Sequence, residues 1–240
     1  MSPSAAYGGP VTRARTDLQD LVERAARGRL RPINEVHRFD ADEHAGYRRA
    51  AVLLLLTPTE VPGSGAPDAD LFLIQRSPLL RKHPGQIALP GGGSDPGDRD
   101  AVDTALRETH EEIGLPPARV EVLGTLPRVS VPFSRFVVTP VVGWSPDPGP
   151  ADAVTDGEVL HTLRVPVGAL LDPTARASVQ VLDSTSAGFL VPGGWVWGFT
   201  GNVLDHVFEE LGWSRPWDRG RIHHMSLDEA RGVPAVTAEG

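Results

Sequence analysis

The sequence predicts an α/β fold in which helices cover a mixed β-sheet. Three observations carry that prediction. The aliphatic run from Ala51 to Leu56, stopped by Pro58, has the length of a buried strand. Residues 100–114 have helical periodicity, with an apolar side and an acidic side. The predicted elements then follow one another as strands, helix, strands, helix, the order expected of helices packed on a sheet.

Taken along the chain, residues 1–16 are rich in Ser, Ala, Gly and Pro and predict a disordered segment. Residues 17–27 suit a short amphipathic helix, with Leu18, Leu21, Val22 and Ala25 at i, i+3, i+4 and i+7. A first strand is expected over 49–57, a loop over 58–68 and a second strand over 70–76. Residues 89–98 contain three consecutive glycines and two prolines and predict a loop. The helix over 100–114 is closed by Gly114 and Pro116. Its packing stripe is Val102, Leu106, Thr109 and Ile113. Strands follow over 119–126 and 136–144, then a Pro/Asp/Gly-rich loop over 145–156. A strand over 158–165, a turn or short helix over 167–171 and a hairpin from 178–182 and 188–191 come next. A helix over 197–211 closes the patterned part. After Trp213 the periodicity is lost, which predicts a tail or loose cover over 213–240.

Composition narrows the function. The 240 residues are 40% hydrophobic, enough to bury a core, and carry a formal net charge of −8. That acidity argues against a nucleic-acid-coating surface, which needs a basic field. Cysteine is absent, so disulfides, thiolate zinc sites and cysteine nucleophiles are excluded. Lys82 is the only lysine, and arginine supplies every other side-chain cation apart from histidine. The longest aliphatic run falls far short of the ~20 residues needed to cross a bilayer, and residues 1–10 have no apolar signal core. These features predict a cytoplasmic protein with a small-molecule ligand, no nucleic-acid partner and no membrane partner. Whether it is a monomer or a homodimer stays open.

The chemistry concentrates in Arg107-Glu108-Thr109-His110-Glu111-Glu112-Ile113-Gly114-Leu115. Glu108, Glu111 and Glu112 stand at i, i+3 and i+4, within an arc of about 100° on one helix face. Like charges so placed repel by roughly 0.2–0.5 kcal/mol per pair unless a cation sits among them. A hard divalent metal, which takes carboxylate oxygens, is the simplest such cation. Read alone, the same glutamates could be a solvated face with an Arg107–Glu111 surface bridge. The adjacent Leu89-Pro90-Gly91-Gly92-Gly93-Ser94-Asp95 changes the weighing, because glycine lets backbone approach a ligand closely. No Gly-Lys-Ser/Thr follows, so this is not a P-loop.

The helix segment resembles the second half of the Nudix hydrolase signature, G-x5-E-x7-R-E-U-x-E-E-x-G-U, where U is bulky and apolar. Arg107, Glu108, Glu111, Glu112, Gly114 and Leu115 match it, with Thr109 in place of the first U. Counting back from Arg107 puts Arg99 at the first glutamate position. Taking Gly92 as the first glycine puts Asp98 there, with one extra residue before Arg107. The second alignment is preferred, because the coenzyme A pyrophosphatase branch of the family shows an aspartate and the longer spacing. A further segment is similar to the extra motif of that branch: Leu73-Ile74-Gln75-Arg76-Ser77, then Leu80-Arg81-Lys82-His83-Pro84-Gly85-Gln86-Ile87-Ala88-Leu89-Pro90-Gly91-Gly92. Leu89 replaces the motif's final aromatic.

The resemblance covers about residues 50–212. It implies the Nudix fold, an α-β-α sandwich with a mixed sheet, spanning residues 17–212 with the N-terminal helix as an extension. It implies a diphosphatase that uses Mg²⁺ or Mn²⁺ held by Glu108, Glu111 and Glu112. Arg107 is the orienting partner of those acids. Gly91, Gly92 and Gly93 shape the pocket, and Arg76, Arg81, His83 and Gln86 are expected on the substrate side. The branch implies coenzyme A or its derivatives, cleaved to 4′-phosphopantetheine and adenosine 3′,5′-bisphosphate. Alternative substrates are ADP-ribose or a dinucleotide, and a third reading is a ligand-binding module without activity. The general base stays open between a helix glutamate and a later acid, of which Glu158 is the candidate. His110, His223 and His224 are expected outside the site, and Trp195 and Trp197 are expected in packing.

Overall fold

The computed structural model describes residues 12–33, 40, 43–60, 67–80, 83–152 and 157–231. Among these, twelve strands form one mixed sheet: β1 (Arg48–Pro58), β2 (Ala69–Arg76), β3 (Ile87–Ala88), β4 (Gly91–Gly93), β5 (Glu121–Thr125), β6 (Val129–Val131), β7 (Phe136–Trp144), β8 (Val159–Pro166), β9 (Arg176–Val181), β10 (Ser184–Val191), β11 (Gly194–Val196) and β12 (Ile222–His224). The helices are α1 (Arg13–Ala26), α2 (Ala101–Ile113), α3 (Val167–Leu170), α4 (Gly198–Glu210) and α5 (Leu227–Ala230).

The aliphatic run predicted as a buried strand is the centre of the molecule. Because side chains alternate across a strand, Leu54 and Leu56 of β1 face one layer and Leu53 and Leu55 the other. The first layer holds Leu18, Leu21 and Val22 of α1 with Val203, Leu204, Val207 and Phe208 of α4. The second holds Ala105 and Ile113 of α2. This is the expected α-β-α sandwich. The sheet runs β12-β9-β10-β11-β3-β2-β1-β7-β5, with β4 on β1, β6 on β7 and β8 on β2. The pairs β1–β7, β3–β11 and β9–β12 are parallel and the others antiparallel.

Four expectations change. The first helix begins at Arg13 rather than at 17, because Thr12 caps it by accepting from the Arg15 N–H at 3.2 Å and Ala14 is buried. Residues 12–16 are therefore ordered, and residues 1–11 lie outside the described part. The glycines expected in a loop form strand β4, with Gly91, Gly92 and Gly93 opposite Val52, Ala51 and Ala50. The buried stripe of α2 is Thr104, Ala105, Thr109 and Ile113, with Val102 and Leu106 half-buried beside it. Residues 222–230 are no loose tail: β12 pairs with β9, and Met225 and Ala230 are buried.

Candidate active site

The helix α2 is set by local signals at both ends. Asp100 caps it by accepting from the N–H groups of Val102 and Asp103 at 2.8 and 3.0 Å. Gly114 closes it with φ at 67°, a left-handed geometry that glycine takes without strain. The apolar side packs on β1, which turns the acidic side toward β4.

That acidic side meets the glycine strand closely. Glu112, only 4% exposed, accepts the Gly91 N–H through Oε2 at 2.8 Å. Its Oε1 lies 3.7 Å from Nη1 of Arg76, at the end of β2. At Gly92 an added Cβ would stand 2.4 Å from Oε2 of Glu108, so the missing side chain makes room for that carboxylate. Burial pushes the Glu112 carboxyl up to about 8, against the opposing pull of the Gly91 N–H and Arg76. Burial also raises Glu108, with Arg107 opposing.

Arg107 is the hub. Its Nε and Nη2 grip the two oxygens of Asp98, each at 3.0 Å. Nη1 donates to Glu108 Oε1 at 2.9 Å and to Glu111 Oε2 at 3.0 Å, and Nη2 donates to the Gly93 carbonyl at 3.0 Å. Asp98 further accepts from Thr104 Oγ1 and the Asp95 N–H, both at 2.9 Å. The Arg107 fork holds the Asp98 carboxyl well below the usual carboxylate range. Arg99 instead bonds Asp103 at 2.7 Å on the exposed side. This geometry matches the alignment that starts at Gly92 and sets Asp98 opposite Arg107.

The remaining candidates divide. Arg76 reaches the acids, as given above. The charge of Glu158 adds to the upward push on Glu112, so that carboxylate stands within electrostatic reach of the site. His83 is exposed, with Nδ1 at 3.0 Å from Gln86 Oε1, and the Gln86 amide donates to the Ala230 carbonyl at 3.2 Å. Arg81 lies outside the described residues. His110 is exposed, as expected. His223, expected in a tail, stacks on Trp195. Sequence reasoning missed the Gly91 N–H as a partner of Glu112 and Ala230 as a partner of Gln86. Nothing in the local pattern of Ala230 points to Gln86.

Among the described residues, no three acidic or imidazole side chains are gathered closely enough to chelate an ion. Arg107 takes oxygens of Glu108 and Glu111 in the place an ion would. The donor set nevertheless fits a hard divalent cation: all three donors are carboxylates, and the space left at Gly92 admits Glu108 beside the backbone. The Glu111 side chain is 54% exposed and can swing toward Glu108 and Glu112.

A mixed sheet between two helical layers, with an arginine-braced acidic helix face against a glycine strand, defines a class of diphosphate hydrolases. The chain belongs to the Nudix family, since the NUDIX domain description matches residues 46–183. A protein of Enterobacter sp. (strain 638) named "Uncharacterized Nudix hydrolase NudL" is 36% identical over 172 residues, which cover 69% of this chain and 83% of that one. The protein of the same name from Salmonella paratyphi B is 37% identical over 175 residues, 71% of this chain and 86% of that one. Among solved structures, the Nudix hydrolase RenU of M. smegmatis aligns with a TM-score of 0.47 at 22% identity, over 72% of this chain and 91% of that one. The protein is thus a Nudix hydrolase acting on a nucleoside diphosphate derivative, in a family that uses divalent metal ions. No described helix is long and apolar enough to cross a membrane.

Proposed function

We propose that the protein hydrolyses the diphosphate of coenzyme A or its derivatives, giving 4′-phosphopantetheine and adenosine 3′,5′-bisphosphate. The observation that carries this reading is the 3.7 Å approach of Arg76 to Glu112. It joins the segment resembling the coenzyme A motif to the acidic face in one continuous surface.

Glu108, Glu111 and Glu112 would hold Mg²⁺ or Mn²⁺. Such ions screen diphosphate oxygens and lower the pKa of bound water. The chain's own groups do the rest. Arg107, fixed by Asp98, keeps the glutamates oriented. The backbone of Gly91, Gly92 and Gly93 lets the substrate come close. Arg76, with Arg81 and His83 from the following loop, supplies charge for the phosphates. Glu158 or one of the helix glutamates takes the proton from the attacking water. The catalytic unit is residues 17–212, with 213–231 packed on it.

The test compares coenzyme A with ADP-ribose in Mg²⁺, with products identified by mass. The reading expects coenzyme A to have the higher specificity constant. A preference for ADP-ribose of about tenfold, roughly 1.4 kcal/mol in transition-state binding, would reassign the substrate. Glu111→Gln, on the exposed part of the face, should abolish metal-dependent turnover and leave the fold intact. A fully active variant would remove this acid from the mechanism.

A further inference from the structure

The segment after Trp213 is tied to the candidate substrate loop. In β12, residues Ile222, His223 and His224 lie opposite Ser178, Val179 and Gln180. The Met225 N–H donates to the Gln180 carbonyl at 3.0 Å. Met225 and Ala230 are buried against Val179, with Trp195 and Trp197 packed alongside. His223 stacks on Trp195 with ring centroids 4.7 Å apart and meets Glu229 Oε1 at 2.8 Å. Ser226 caps the turn of α5 by accepting from the Glu229 N–H at 3.1 Å. So anchored, the turn presents the Ala230 carbonyl to the side-chain amide of Gln86 at 3.2 Å.

The loop that receives this contact needs holding. His83 has φ at 52°, a left-handed geometry that a non-glycine residue keeps only where its surroundings impose it. Gln86 imposes it from two directions: Oε1 faces His83 Nδ1 at 3.0 Å, while its backbone N–H points at the His83 carbonyl at 3.4 Å. With its side chain engaged at both ends, Gln86 has little capacity left for substrate.

We propose that residues 222–230 form a strap that fixes the conformation of loop 83–86 and thereby sets affinity for the substrate portion beyond the diphosphate. Gln86 and Ala230 are positioning residues in this arrangement. The inference rests on the reading that the loop belongs to the substrate site. A strap that merely completed a core would change stability and leave the KM of the folded enzyme alone.

The test uses the full chain. Ala230→Glu cannot keep its side chain against Val179 and lifts the turn. Gln86→Met keeps the length of the side chain and removes both hydrogen bonds. Each should raise KM by about three- to tenfold, the loss of one hydrogen bond, with kcat kept within about twofold. The double variant should be no worse than either single one, because both break the same contact. The Gln86 amide should exchange faster with solvent, while the Leu53 amide, bonded to the Pro90 carbonyl at 2.8 Å, stays protected. If Ala230→Glu fails to fold, His223→Ala removes the Trp195 stack while leaving the β12 backbone pairing, and it should move KM and exchange the same way. Parental KM and parental Gln86 exchange in these variants would overturn the proposal, as would fully additive effects. A parent that cleaves another nucleotide and not coenzyme A would instead overturn the substrate reading. The KM comparison is then made on the nucleotide cleaved, and the exchange readout stands unchanged.

Discussion

Substituting Gly92 by Ala separates the fold from the chemistry. The Gly92 backbone lies outside the left-handed region, so alanine is sterically admissible in the main chain. The new methyl would meet only the end of Glu108, at 2.4 Å from Oε2, 2.5 Å from Cδ and 2.7 Å from Oε1. A flexible side chain can yield, at about 0.5–1.5 kcal/mol for an off-rotamer torsion. Alanine in place of glycine returns about 0.4–1 kcal/mol by narrowing the unfolded ensemble. The net change in stability is therefore about 1 kcal/mol or less. Activity should respond differently, because the displaced group is a proposed metal ligand and loses its place beside Gly91 and Arg107. A drop of roughly 10–100-fold in kcat/KM is expected, the scale seen when groups supporting a metal site are disturbed. The assay pairs urea unfolding with coenzyme A turnover in saturating Mg²⁺. A stable Gly92→Ala enzyme with parental kcat/KM would show that the position of the Glu108 carboxylate does not matter.

Gly91→Ala should behave in the opposite way. Its φ is 145° and the added Cβ would stand 2.3 Å from the Ala51 carbonyl oxygen and 2.6 Å from the Val52 Cα, both backbone atoms. A loss of roughly 2–3 kcal/mol in urea unfolding is expected, and unchanged stability would refute the packing argument. Arg107→Lys replaces a fork by a point charge that cannot reach Asp98, Glu108 and Glu111 together. Turnover should fall about 10–100-fold with a stability loss of about 1–2 kcal/mol, measured by the same two assays, and parental turnover would demote the hub. His206 is 8% exposed in α4, and burial lowers its pKa below 6.5. The unfolded chain takes this proton first as pH falls, so the contribution of neutral His206 is complete above about 6.5 and declines below it. His206→Gln should flatten the dependence of unfolding free energy on pH between about 7.5 and 5.5, and an unaltered slope would contradict the assignment.

What the sequence made legible follows from physics that acts locally. The run from Ala51 to Leu56 reads as a buried strand whatever surrounds it, and it became β1 with a core on each face. Asp100, Gly114 and Pro116 bracket α2 by capping chemistry, so its ends and its acidic face were readable within a residue. The glycines were not readable as a strand. They have no side chains to alternate, and β4 exists because the neighbouring β1 offers backbone partners at Ala50, Ala51 and Val52. Strand β12 is similar, a three-residue segment recruited by the exposed edge of β9. Within the site, the acids at i, i+3 and i+4 were evident from helical spacing. Asp98 was ambiguous by one position, because loop spacing fixes no direction. Its two 3.0 Å bonds to Arg107 are a tertiary fact.

The central claim is that Glu108, Glu111 and Glu112 together hold divalent cations beside the glycine strand. Calorimetric titration of Mn²⁺ into the parent and into the triple variant Glu108→Gln, Glu111→Gln, Glu112→Gln tests it most directly. The account predicts saturable uptake by the parent and binding weakened at least about tenfold in the folded triple variant, since amide oxygens carry no charge to offer a hard cation. Equal affinity in both proteins would contradict it.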